Sequence, residues 1–160
     1  MDNKNIKDYY ALNESNMYNK TDIYVNKEIF ISKTFTEQDI ETFIELSGDN
    51  NPIHHDESFS QKTIFKGRIA HGLLAVGLIS SALTRLMGAG NVWLSQNFEF
   101  RKPIKINDTI TAELKITDIG KNGVCIIETT CKNQKGEIIV EGQAKSRVFP
   151  VKNQNKTSTE

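Results

Sequence analysis

A chain of 160 residues with 20 Lys+Arg against 20 Asp+Glu suits one domain of ordinary size, and the balanced charge gives no support to a nucleic-acid or strongly acidic partner, leaving only a local basic patch open. No apolar run reaches the ~18 residues that a membrane helix needs. The polar start Met1-Asp2-Asn3-Lys4-Asn5 lacks the apolar core of a signal peptide, so the expected location is the cytoplasm.

Residues 1–26 are polar with scattered tyrosines (Tyr9, Tyr10, Tyr18, Tyr24) and read as an extension. It is either a disordered arm or a segment that packs through its tyrosines across a subunit interface. Glu28 to Thr34 predicts a short strand. Thr36 followed three residues later by Asp39 is close to a capping box, and Ile40, Phe43 and Ile44 recur at helical spacing. Leu46 extends that apolar set and Gly48 ends the helix. The Gly48–Pro52 run predicts a loop, because Pro52 pushes Asn51 out of the helical region. Asp56 caps a brief helix over Glu57–Lys62, with Phe59 and Ile64–Phe65 as its anchors.

Gly72 to Met87 is the longest helical pattern. It is apolar on more than one face and its first charge is Arg85, which predicts a buried helix stopped by Gly88 and Gly90. Four strands follow: Asn91–Arg101, Thr109–Thr117, Val124–Lys132 and Glu137–Val148, the last two joined at Lys135-Gly136. Cys125 and Cys131 are six apart in one strand, hence on one face, and read as buried free thiols rather than a disulfide or metal pair. Residues 151–160 read as a disordered polar tail. Sequential strands on short turns are largely antiparallel, and their single face to bury calls for the apolar helix. The predicted architecture over residues 27–150 is therefore α+β, an antiparallel sheet wrapped around a central buried helix: the hot-dog fold.

Asp49 and His54 lie five apart on the polar loop. A carboxylate and an imidazole held there can grip one water and exchange protons near neutral pH. The bland alternative is a stabilised turn. Gly72 opens the buried helix, where the first N–H groups lack internal partners and the helix dipole is positive. With no Cβ it admits a ligand oxygen closely, so its N–H is a candidate oxyanion donor as well as a simple helix start. His71 is open to capping, packing or ligand contact. His55 reads as exposed or supporting.

Phe43-Ile44-Glu45-Leu46-Ser47-Gly48-Asp49-Asn50-Asn51-Pro52-Ile53-His54, with Ser60 six residues beyond, resembles the hydratase-2 motif of MaoC-like (R)-specific enoyl-CoA hydratases. Ala70-His71-Gly72-Leu73-Leu74 is similar to the family's oxyanion-helix start, and Trp93–Pro103 to its following strand. The likeness spans roughly Phe30 to Val148. It implies a catalytic pair, Asp49 and His54, and a backbone donor at Gly72. It also implies a polar helix residue at Ser80, which orients His54, touches substrate or bonds a helix carbonyl. Asn51 shapes the loop or supports Asp49.

The implied reaction holds a trans-2-enoyl thioester by its carbonyl oxygen on the Gly72 N–H. Asp49 and His54 share a water; one removes a proton as oxygen attacks C3, and the other delivers a proton to C2. Syn addition gives a (3R)-hydroxyacyl thioester, with dehydration as the reverse. No metal and no redox cofactor are expected, coenzyme A entering only as part of the substrate. Lys66, Arg68 and Lys102 are candidate cations for its phosphates. A homodimer or a hexamer of three dimers is expected, since the open sheet edge needs covering. The rival readings are an acyl-carrier-protein dehydratase, a thioesterase on the same fold, and a non-catalytic acyl-CoA-binding protein.

Overall fold

The computed structural model describes residues 22–149. Most of the tyrosine-bearing extension and all of the 151–160 tail lie outside the described residues. Ile23, which the sequence assigned to the extension, packs against the core, and Tyr24 is exposed.

The elements in order are β1 (Glu28–Thr34), α1 (Glu37–Ser47), α2 (Pro52–His55), α3 (Glu57–Ser60), β2 (Ile69–Ala70), α4 (Gly72–Met87), β3 (Asn91–Phe100), β4 (Ile104–Lys105), β5 (Thr109–Ile119), β6 (Cys125–Lys132) and β7 (Ile138–Val148). Five of the strands form one antiparallel sheet in the order β1-β5-β6-β7-β3. The long helix α4 packs across that sheet, touching every strand of it. This is the hot-dog fold. Register shifts at Trp93/Ser95, Ile116/Asp118 and Cys131/Lys132 interrupt the ladders. Such bulges bend a strand and increase its twist, which curls the sheet about the helix.

The core follows from two periods meeting. Along β5, Ile110, Ala112, Leu114 and Ile116 are buried at period two. From α4, Ala75, Leu78, Ile79, Ala82, Leu83, Leu86 and Met87 are buried at helical spacing. The remaining face, with Leu73, Gly77, Ser80, Ser81, Thr84 and Arg85, is exposed. The all-round apolar pattern was thus overstated: one stripe meets the sheet, and small residues let the other face solvent. Lys27 secures the far end of α4 by donating to the Leu86 carbonyl at 2.8 Å, a cation on an orphan helix carbonyl. Cys125 and Cys131 are free and buried, and burial, with help from Glu113, pushes the Cys131 thiol up to about 12.

Helix α1 has the capping box: the Thr36 side chain accepts from Asp39 N–H, while Asp39 accepts from Thr36 N–H at 2.8 Å. Three expected anchors are corrected. Leu46 is 82% exposed, because it falls about 120° around the helix from the buried Ile40. Phe59 and Ile64 are also exposed, so the chain between α3 and β2 is held differently. There Ser60 is buried, Thr63 Oγ1 donates to the Ser60 carbonyl, and Lys105 donates to the Phe65 carbonyl. The short ribbon β2–β4, unrecognised in the sequence, then aligns Ile69 with Lys105 and Ala70 with Ile104 just before α4 begins.

Candidate active site

The polar loop is built from nested short-range bonds. Gly48 takes the left-handed conformation (φ 75°) and stops α1. Ser47 Oγ then accepts from Asp49 N–H, Asp49 Oδ1 from Asn51 N–H at 3.3 Å, and Asn51 Oδ1 from Ile53 N–H at 3.3 Å. These are turns that Asp, Asn and Ser side chains make with backbone two residues on. Where the sequence predicted only loop, Asn51 caps a single helical turn, α2, with Pro52 at its first position. Ser60, fully buried, donates to the Ile53 carbonyl at 3.0 Å and fastens α2 to α3.

His54 is carried inward by α2 and is buried. Its Nδ1 lies 2.7 Å from the Ile69 carbonyl oxygen. A carbonyl only accepts, so Nδ1 carries the ring proton and Nε2 keeps its lone pair. Burial lowers the pKa of His54 below its ordinary 6.5. The Ile69 bond and the Asp49 charge oppose that shift, and the neighbouring His71 adds to it. The net effect is a neutral imidazole at neutral pH.

His71 precedes α4 without capping it through its side chain. Its ring sits between Phe43 (centroids 4.7 Å apart) and His54 (3.7 Å, stacked). Its Nε2 donates to the Asp49 backbone carbonyl at 3.0 Å and lies 3.9 Å from Asp49 Oδ2. His71 therefore ties the loop bearing Asp49 to the ring of His54, while its own Nδ1 is buried without a hydrogen-bond partner among the described residues. Ligand atoms of Asp49, His54 and His71 all lie within 4.8 Å of one another. This is the donor set that could hold a metal ion. The fit is poor: His54 Nδ1 and His71 Nε2 are already committed to the Ile69 and Asp49 carbonyls, and the two rings stack face to face.

Gly72 is the first residue of α4, so its N–H has no carbonyl one turn back in the helix to bond. Two clefts meet at this glycine. One, of about 380 Å³, is lined by Phe43, Asp49, His71 and Leu73; the other, of about 360 Å³, by Phe65, Ile69, Lys102 and Pro103. His54, Gly72 and Phe100 line both. The structure thus brings together Asp49, His54, His71 and Gly72, with Asn51 supporting Asp49 through its N–H.

Several expectations are corrected. Ser80 lies on the exposed face of α4 and lines neither cleft, because the helix buries one stripe only. Arg68 is taken by Glu37 in a bidentate pair (2.5 and 2.8 Å), with Glu57 also close, and Lys102 by Glu137 at 2.6 Å. Neither is a free cation for a phosphate. Lys66 is exposed with a positive φ of 51° and makes no ion pair among the described residues. His55 is exposed, donating to the Asn50 carbonyl at 2.9 Å. Sequence reasoning gave no place in the site to Ser60, Ile69, Phe43 or Phe100. For Ser60, Phe43 and Phe100 their place in the quoted motifs was a signal. For Ile69, which acts through its carbonyl, there was none.

The chain matches the MaoC like domain family over residues 22–138, and it belongs to that family. Within it, the chain is similar to an (R)-specific enoyl-CoA hydratase of Rhodospirillum rubrum, 40% identical over 125 residues, 77% of this chain and 86% of that one. It is 36% identical over 129 residues to a 3-hydroxybutyryl-CoA dehydratase of Methylorubrum extorquens, covering 79% and 82% of the two chains. Among solved structures it resembles the (R)-hydratase from A. caviae involved in PHA biosynthesis, with a TM-score of 0.76 and 31% identity over 79% of this chain and 98% of that one.

Proposed function

We infer that the protein is an (R)-specific enoyl-CoA hydratase, a hydro-lyase that adds water across C2=C3 of a trans-2-enoyl thioester and runs in reverse as a 3-hydroxyacyl-CoA dehydratase. The observation that carries this reading is the grouping of the Asp49 carboxylate and the His54 ring within 4.8 Å, beside the open start of α4. The names borne by the similar proteins support the substrate class.

The tautomer assigns the first proton transfer. With its Nδ1–H on Ile69, His54 has no ring proton to give until it has taken one at Nε2. His54 is therefore the base. A water bonded to His54 Nε2 and to the Asp49 carboxylate attacks C3 as its proton passes to Nε2. Charge moves to the thioester oxygen, which the Gly72 N–H stabilises. The imidazolium, held by Asp49, returns that proton to C2 on the face the water came from, so the net addition is syn. One water is consumed and no electron changes hands. Coenzyme A takes part only as the thiol half of the substrate.

Among the described residues no helix is long and apolar enough to cross a membrane. The buried free thiols suit a reducing cytoplasm. The protein acts there as a homodimer, or as a hexamer of three dimers, since the edge strand β3 exposes Val92 and Leu94.

Purified protein given crotonyl-CoA and longer trans-2-enoyl-CoAs should consume the double bond and yield the 3R alcohol. Release of free thiol without hydration would identify a thioesterase. Activity confined to acyl-carrier-protein thioesters would transfer the reading to the carrier-protein dehydratases.

A further inference from the structure

Phe100 ends the edge strand β3 and is 52% exposed, an unusual position for a large aromatic. It packs edge-on against Phe98 (centroids 5.5 Å), and Phe98 in turn packs on the core. That contact aims the Phe100 ring back over the start of α4. A Cβ placed on Gly72 would lie 2.5 Å from Phe100 Cε1 and 2.8 Å from Cδ1. The ring therefore rests directly against the glycine that opens α4, and it lines the clefts on both sides.

We propose that Phe100 is a specificity-determining residue: its ring is the partition between the two clefts and limits the acyl length that can be seated past Gly72. The inference rests on the reading that the site takes acyl thioesters. A thioester carbonyl held at Gly72 has two arms. The arm carrying C2 and C3 must run past His54 and Asp49, and so enters the open cleft lined by Phe43 and Leu73. The thiol arm must leave by the other cleft, past Phe65 and Pro103. Both arms pass the Phe100 ring. The ring bars an acyl chain longer than its cleft from the second cleft, whereas a short one gains apolar contact from it. Removing the ring joins the clefts, which favours long chains over short ones.

The test is calorimetric binding of butanoyl-CoA and octanoyl-CoA to the wild type, Phe100→Leu and Phe100→Ala. These saturated thioesters bind without turnover. The octanoyl-to-butanoyl affinity ratio should rise about tenfold in Phe100→Ala, the scale on which apolar pockets discriminate chain length, and less in Phe100→Leu. A ratio left unchanged, or equal weakening of both ligands, overturns the proposal and reduces Phe100 to a packing residue. Because the ring is half exposed, the variants keep the core; should the alanine variant melt early, the leucine variant carries the test. Hydration of crotonyl-CoA by the wild type, measured alongside, separates the two failures. A wild type that binds both ligands but hydrates nothing sinks the hydratase reading while the affinity ratio still decides this one. Binding of neither ligand overturns both.

Discussion

At the scale of single residues the site depends on which atom of each side chain is left free. His54 spends Nδ1 on a backbone carbonyl and His71 spends Nε2 on another, so two adjacent imidazoles have different duties. His54→Ala should keep the fold and lose about 10²–10⁴-fold of the hydration rate, read as initial rates on crotonyl-CoA, and Asp49→Asn should also lose most of it, because the water and the imidazolium are no longer held. Near-full activity in either would remove it from the mechanism. The pH dependence has a definite sign. Burial depresses His54, so its neutral form is favoured in the folded protein. The acid limb of kcat/KM should therefore lie below the ordinary histidine value of 6.5. The same shift makes the unfolded chain the stronger proton binder as pH falls through 6.5 toward the folded value, so this residue's contribution to stability declines over that window.

At the scale of elements, local chemistry sets most boundaries. Thr36 and Asp39 start α1, Gly48 stops it, and Asn51 with Pro52 starts α2. Thr36→Ala should cost about 1 kcal/mol, measured by urea unfolding, because it leaves a helix N–H without its acceptor. Burial would raise the Asp39 carboxyl, but its bonds with Thr36 and Lys33 outweigh that and hold it low. Its stabilising effect is thus present above the ordinary 3.8 and is lost as pH falls through the depressed value. The single turn α2 is too short to show a period and reads as loop, whereas the caps of α1 and the four long strands were legible in the sequence because each depends on neighbours within a few positions. The ribbon β2–β4 was not: two residues carry no periodicity, and its partner lies some thirty-five positions away.

At the scale of the whole molecule, one helix on a curled sheet places the start of α4 against the end of β3 and the turn of α2. Leu83, 1% exposed on the stripe of α4 that faces the sheet, tests how much rests on the packing of helix on sheet. Leu83→Ala should destabilise the protein by about 2–5 kcal/mol, seen as a lower urea midpoint with little change in slope. The sequence alone determined the fold class, the alternation along the long strands, the caps of α1 and which side chains are candidates for acid–base chemistry, because those depend on residue type and local spacing. Only the tertiary structure decided that Ser80 faces solvent, that Arg68 and Lys102 are already paired, and that a carbonyl from Ile69 and a ring from Phe100 complete the site. Those outcomes depend on which distant groups meet, and a backbone carbonyl or an ion pair between remote positions leaves no pattern along the chain.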